Sequence, residues 1–397
     1  MNIAIVCDYF LDYVGGAQTS MHQQRRALEA AGHRVTMVSA AREKGSLTRP
    51  DRHDILVQPS FVLPGVELPI IANTPALRTA LAEHFTAMAV DVVHAQTDFG
   101  LAHSATDVAR ELGLPVVHTV HTFYWSTDLV WLAPLAALTH RLLRRYLGAP
   151  IPREPLGERA FERVLRNVTL SMALRADAVV SPSAHQSDDL KAAGVRGPIF
   201  VIPNPMGLQG TPSVPLTDEM LAAPTLLWAA RCEPVKRPLE FAEAAIAALG
   251  RTTSGFSVDF VGEGADLAAL RKLVAGHPEL RVHGVRDHAT VLRLMDESAI
   301  VALSSFNFDN QPMTIAEAVS RGRGVLYCDP KLREGLSHAG FLARSPEISG
   351  LSEAIVELVD NPSEFRRLAA GAVTDAEVFS PAAFVKRVEA VYRGLLN

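Results

Sequence analysis

Two acids, Asp309 and Glu317, stand with seven residues between them in Ser304-Ser-Phe-Asn-Phe-Asp-Asn-Gln-Pro-Met-Thr-Ile-Ala-Glu. Pro312 suits the first turn of a helix, where the amides of Met313 and Thr314 have no intrahelical acceptor. Taken singly, an acid at a helix start is a cap and an acid within a helix is a solvated face. Upstream, Arg231-Cys-Glu-Pro-Val-Lys236-Arg237 puts two cations in one loop. Such a pair can clamp a diphosphate through a forked and a point charge, or merely keep a surface soluble. Gly262-Glu-Gly264 makes a turn that permits close backbone approach. Nearer the start, His118 and His121 lie in His-Thr-Val-His-Thr-Phe-Tyr-Trp, with no acidic or cysteine partner close by for a metal. Each can hydrogen-bond a substrate oxygen, shuttle a proton, or serve the packing alone. Gly15-Gly16 opens a helix whose start favours an anion. Neither glycine pair completes the Gly-x-Gly-x-x-Gly dinucleotide fingerprint.

These stretches share a position: each follows a short apolar run. Ile3–Cys7, Val35–Ser39, Val92–Ala95, Val116–Thr119, Ala178–Ser181 and Phe200–Pro203 read as strands, with helical patterns near 17–31 and 75–89. Residues 203–224 break the rhythm with five prolines and two glycines, which suits a linker. The alternation restarts with Leu226–Ala230, Val258–Val261, Arg281–His283, Ile300–Leu303 and Val325–Cys328. Alternating strands and helices make parallel sheets covered on both faces. The reading is two α/β domains, residues 1–205 and 206–380, with an amphipathic segment 381–397 able to return to the first. Ligands of open parallel sheets bind outside the carboxyl ends of the strands, so two facing sheets form a cleft.

Composition bounds the function. The 397 residues are 48% hydrophobic and 20% charged, enough apolar content for large cores and incompatible with disorder. A net charge of −5 argues against nucleic acid as a partner. Three scattered cysteines indicate a reducing compartment and no cysteine zinc site. The start lacks a signal-peptide layout, and no run of about 20 apolar residues spans a membrane, so a soluble, cytoplasmic protein is expected.

The order Gly-Gly, His, Arg-x4-Lys, Gly-x-Gly and acid-x7-Glu resembles the retaining family-4 glycosyltransferases of the GT-B fold, over nearly the whole chain. The resemblance implies two Rossmann-like, doubly wound domains facing across a cleft, the first binding acceptor and the second a nucleotide sugar. It implies that Arg231 and Lys236 bind the diphosphate and Glu317 the ribose hydroxyls. Asp309, with the backbone of Pro312, Met313 and Thr314, would hold donor-sugar hydroxyls. Gly16 would approach the phosphate, and His121 the sugar near its reacting carbon. Gly262 belongs to the same set, and backbone groups at Val285 and Arg286 would border the base. The final helix would cross back to the first domain. No metal cofactor is implied, and no Asp-x-Asp motif occurs. The chain departs from the family pattern at Asp309, usually glutamate, and at Ala230 and Arg237, usually glycines. It also carries Arg321-Gly-Arg-Gly324 where a proline is common.

The acceptor is addressed by an insertion at 123–153. Trp131, Leu135, Leu138, Leu142 and Tyr146 fall on one helical stripe, with His140, Arg141, Arg144 and Arg145 around it. Residues 141–166 hold seven arginines against three glutamates. Such a helix can lie in an anionic membrane surface, or it can cap the core of the first domain. The His-Thr-x-His-Thr stretch also looks like the diacylglycerol glycosyltransferases, so the acceptor is either a membrane lipid or a soluble sugar, inositol phosphate or thiol precursor. UDP and GDP, and glucose and mannose, all fit. A nucleotide-sugar 2-epimerase or a silent sugar-nucleotide binder is the alternative reading.

Overall fold

A computed structural model describes residues 1–12, 16–42, 48–49, 52–63, 68–124, 130–207 and 213–397. Backbone contacts divide the chain into two units: Met1–Pro205 with Pro381–Asn397, and Met206–Ser380.

The first unit holds β1 (Asn2–Cys7), β2 (Arg34–Ala40), β3 (Thr48–Arg49), β4 (Arg52–Val57), β5 (Phe61–Leu63), β6 (Leu68–Ile70), β7 (Val92–Ala95), β8 (Val116–Thr119), β9 (Ala178–Ser181) and β10 (Ile199–Val201). Eight of these form one sheet in the order β10-β9-β8-β7-β1-β2-β4-β3, parallel except for the β3–β4 pair. β5 and β6 form a separate antiparallel ribbon. The order reverses between β1 and β7, so the loops after those two strands flank the switch point. Ile3, Ile5 and Cys7 point to a core shared with Phe384, Val388, Val391 and Tyr392 of helix Pro381–Leu396. Tyr392 Oη lies 2.6 Å from His94 Nδ1, and Glu389 Oε1 lies 2.7 Å from His33 Nε2. The last helix is thereby part of the first unit's core.

The second unit holds β11 (Thr225–Ala229), β12 (Ser257–Val261), β13 (Leu280–Gly284), β14 (Ile300–Leu303), β15 (Gly324–Tyr327) and β16 (Gly340–Leu342), all parallel, in the order β13-β12-β11-β14-β15-β16. Its switch point lies between β11 and β14. Trp228 fills the core beside Phe241 and Phe260, and its indole donates to Ser304 Oγ at 2.9 Å. The Arg321–Arg323 turn is held from within. Arg321 pairs with Asp296, and buried Arg323 donates to the carbonyls of Ser298 and Val214, both at 2.7 Å. A buried guanidinium with several carbonyl partners closes this turn where a proline would stiffen it.

Strands β3 to β6 and β16 are additional to those read from the sequence. β4 begins Arg-His-Asp, and this charged start hides its apolar end Ile-Leu-Val. Residues 362–396 are long and apolar enough, by length and composition alone, to cross a membrane. They are instead two helices, Pro362–Asp375 and Pro381–Leu396, broken by a 3-10 turn and extended Ser380. Phe365, Leu368, Phe379 and Phe384 are buried in protein cores.

Candidate functional site

In the second unit the candidate residues gather on adjacent loops at the carboxyl ends of β13, β12, β11 and β14. Arg231 opens the loop after β11; it is exposed and has no hydrogen bond or ion pair from its side chain among the described residues. Lys236 ends a 3-10 turn, Pro234–Lys236. Its ammonium pairs with Asp309 Oδ1 and lies 5.3 Å from the Phe308 ring centroid. Asp309 Oδ2 accepts from Ser305 Oγ. Asp309 therefore does not cap the helix that follows. It bridges the switch point and neutralises Lys236.

Ser304 fixes the same two loops from beneath, its hydroxyl 2.7 Å from Lys236 O and 3.0 Å from Arg237 O. Arg237, where the family pattern has glycine, sits at φ 55°, ψ 49° in the left-handed region. Its guanidinium donates to Pro346 O at 2.7 Å, tying the loop to the rim of the sheet. Gly262, at φ +142°, is needed for packing: a Cβ there would lie 1.8 Å from Ala230 O. At Gly264 a Cβ would lie 2.5 Å from Cys232 O. Cys232 N donates to Glu263 O, and Asp266 N to Cys232 O, both at 2.8 Å. The Gly-x-Gly turn welds the loops after β11 and β12 together.

Helix Met313–Ser320 starts at the switch point. Pro312 is its N-cap, one residue earlier than the first-turn position read from the sequence, and as a proline it offers the helix-start amides no side-chain acceptor. Glu317 lies one turn inside, with its side chain 13% exposed, and accepts from His288 Nε2 at 2.8 Å. That bond raises the His288 pKa. Val285 and Arg286 follow β13 and are exposed.

In the first unit, Gly16 is the exposed first residue of helix Gly16–Ala30, which has no acid in its first turn; Gly15 lies outside the described residues. The other helix start at this unit's switch point, that of Gly100–Leu112, is already occupied. Buried Asp8 accepts from the amides of Leu101 at 2.7 Å, Phe99 at 3.2 Å and Ala102 at 3.3 Å, and from Thr97 Oγ1 at 2.6 Å. Burial still raises its pKa to about 6. One switch-point helix start thus carries its own anion, whereas that at Met313 has a proline at its N-cap and two cations on the neighbouring loop.

His121 follows β8, half-buried, with Nε2 2.6 Å from Gln96 Oε1. Burial, with His118 nearby, holds its pKa down at about 3, so the ring is neutral. His118 is fully buried, with Nε2 2.8 Å from Asp98 Oδ1. Among the described residues no group of three His, Cys, Asp or Glu side chains is placed to hold a metal.

The insertion forms helix Ala136–Leu147. Its inward face carries Ala136, His140 and Leu147, and His140 Nε2 lies 3.2 Å from Ile151 O. Leu135, Leu138 and Leu142 point outward, 47%, 52% and 57% exposed, beside exposed Arg141, Arg144 and Arg145. Tyr146 leaves the stripe and turns inward against Phe99 and Leu147. The Trp131 side chain lies outside the described residues. The leucines are therefore not core for this unit.

Ser305, His288 and Gln96 were missed by sequence reading. All three follow strands closely, and that position was their available signal; their partners are distant in sequence.

Residues 14–209 match the family described as Glycosyltransferase Family 4, and residues 223–361 that described as Glycosyl transferases group 1. The chain is 29% identical over 127 residues to alpha-monoglucosyldiacylglycerol synthase of Streptococcus pneumoniae, covering 31% of this chain and 27% of that protein. This match thus spans less than a third of that relative's length. Phosphatidyl-myo-inositol mannosyltransferase of Mycolicibacterium smegmatis is 24% identical over 379 residues, 91% of this chain and 85% of that one. Among solved structures, Anabaena Alr3699/HepE in complex with UDP superposes with TM-score 0.69 at 15% identity, covering 99% of this chain and 100% of that one. Sucrose-phosphate synthase from Thermosynechococcus elongatus superposes with TM-score 0.67 at 17% identity, covering 99% and 98%.

Proposed function

The chain belongs to the family-4 glycosyltransferases and has their GT-B fold of two parallel-sheet α/β domains, and on that premise we propose that it moves a hexose, glucose or mannose, from a UDP- or GDP-sugar to a membrane lipid or glycolipid, with retention and without a metal. The observation that carries this reading is the helix start at Met313, whose N-cap is a proline with no side-chain acceptor, with Arg231 and Lys236 on the neighbouring loop of the same switch point. Cations and helix-start amides supply the charge that a departing nucleoside diphosphate needs. Arg231 is open to a phosphate, and Lys236 exchanges its bond to Asp309 for one. Released from the lysine, Asp309 accepts from donor-sugar hydroxyls, while Glu317 accepts from the ribose.

In the transfer step the bond between the anomeric carbon and the diphosphate oxygen breaks through an oxocarbenium-like state. The acceptor oxygen bonds to the same face of that carbon, and the leaving phosphate takes the acceptor's proton. The lipid acceptor is supported by two relatives named for lipid glycosylation and by the exposed leucines and arginines of helix Ala136–Leu147. That face would place the protein peripherally on the cytoplasmic side of the membrane.

Calorimetric titration with UDP and GDP in metal-free buffer, then with their glucose and mannose conjugates, tests the donor site. One diphosphate should bind, and Glu317→Ala should weaken it about tenfold, the worth of a charge-assisted hydrogen bond. No binding of either, or an unaffected variant, removes the site assignment. Labelled donor with lipid extract then tests transfer; a free isomerised sugar formed without acceptor would instead mark an epimerase.

A further inference from the structure

A row of buried amides and a hydroxyl stands behind His121. Gln96 Oε1 lies 2.6 Å from His121 Nε2, and Gln96 Nε2 donates to Gln24 Oε1 at 2.9 Å. Gln24 Nε2 donates to Ser20 Oγ at 3.0 Å, and Ser20 Oγ donates to Asn204 Oδ1 at 2.6 Å. Ser20, Gln24, Gln96 and Asn204 are all buried. The four come from helix Gly16–Ala30, the loop after β7 and the segment after β10, so their order is set by the fold of the first unit alone. With the amide of Gln96 committed to Gln24, its carbonyl oxygen faces the imidazole. An oxygen can only accept, so the proton between them belongs to His121 Nε2. A neutral imidazole then carries its lone pair on Nδ1. No described residue bonds Nδ1, and His121 is partly open to its surroundings.

We propose that Gln96 is a positioning residue that fixes His121 as the Nε2–H tautomer, so that Nδ1 accepts a hydrogen bond from a donor-sugar hydroxyl and gives no proton to the reaction. The hydroxyl contact rests on the donor reading above; the tautomer does not. The groups around the ring agree with a neutral acceptor. His118 lies close enough to disfavour a charge on it, and Asp98 is engaged with His118. Leu at position 96 would leave both ring nitrogens without direction. Glu at position 96 would accept from Nε2–H as the amide does, and so would preserve the tautomer. The selectivity that follows is for sugars that carry a hydroxyl at the contacted position over their deoxy or O-methyl analogues.

The test is nitrogen NMR of the full chain labelled at its histidines, with the His121 signals assigned by their loss in His121→Gln. In wild type the expected pattern is a protonated Nε2 and an unprotonated Nδ1 across neutral pH. A protonated Nδ1 would overturn the proposal without any variant being made. Adding the diphosphate alone should leave the Nδ1 resonance in place, whereas adding the matching sugar conjugate should shift it upfield. A conjugate that binds but leaves Nδ1 unmoved overturns the hydroxyl contact and spares the donor reading. Failure of both UDP and GDP to bind overturns the donor reading, and the hydroxyl contact with it, while the ring pattern still decides the tautomer. Gln96→Leu should mix the two tautomers and lower kcat about tenfold, the worth of one hydrogen bond, with diphosphate affinity within about twofold. Gln96→Glu should keep the wild-type ring pattern. Equal loss of kcat and diphosphate affinity in Gln96→Leu, or a lost ring pattern in Gln96→Glu, would overturn the positioning role.

Discussion

Lys236 and Asp309, 73 residues apart in sequence, form an ion pair across the switch point of the second sheet. The pair joins the loop after β11 to the loop after β14, and both side chains are largely buried. Each partner holds the other in a form that a phosphate and a sugar hydroxyl can replace. Lys236→Ala should lower diphosphate affinity by about tenfold or more, the range for a bond to a charged group. Asp309→Ala frees the lysine, so diphosphate binding should hold or tighten while transfer falls. Calorimetry beside a transfer assay separates the two; parallel losses in both variants would mean that Asp309 does not act on the sugar.

Arg237 carries a left-handed backbone conformation that costs a non-glycine residue about 1–2 kcal/mol. Its bond to Pro346 O offsets that cost. Arg237→Ala keeps the strain and loses the bond, whereas Arg237→Gly loses both. The glycine variant should therefore be more stable than the alanine variant by about 1 kcal/mol, read from urea midpoints at constant slope.

Acid should weaken the first unit. His94, His103 and His121 are held near 3, against about 6.5 in an unfolded chain. Their depressed pKa values let the unfolded state take up protons first, and stability falls as pH drops from 6.5 towards 3. Asp8 acts oppositely: its pKa of about 6 lies above the unfolded value, so the native state gains the proton and stability rises as pH drops through 6. Three histidines against one aspartate leave about two protons in favour of unfolding near pH 5, roughly 2.7 kcal/mol per pH unit. Urea midpoints at pH 7 and pH 5 check the sign, and Asp8→Asn should steepen the loss.

Leu138 and Leu142 lie outward on helix Ala136–Leu147 and are half exposed. Replacing both with serine should leave thermal stability within about 0.5 kcal/mol, as for other surface changes. The same variant should sediment less with anionic vesicles, as should a triple Arg141, Arg144, Arg145→Glu variant, with the effect of the arginines fading at high salt. Wild type that never sediments with such vesicles would end the membrane reading.

Much of the fold was legible because its information is local. Val92–Ala95, Val116–Thr119, Ala178–Ser181 and Ile300–Leu303 are strands at the bounds read from sequence, since a strand buried on both faces is apolar at most of its positions and the run stands out from its polar surroundings. β4 escaped because Asp54, which a strand pattern counts against it, is buried in a pairing with Arg25 of helix Gly16–Ala30. The same distinction governs the candidate residues. Residue type and spacing marked Arg231, Lys236, Asp309 and Glu317, because charge beside strand ends is visible in one dimension. Only the tertiary structure set Lys236 against Asp309, His288 against Glu317 and Gln96 against His121, because hydrogen bonds form between loops whose neighbourhood depends on strand order. Asp8 shows the limit best. Its sequence position placed it beside a candidate anion site, but the helix start it occupies begins more than ninety residues later. The leucine stripe makes the same point for surfaces: a 3.6-residue period establishes that a helix has an apolar face, and the packing of Ala136 and His140 inward decided that this face looks out.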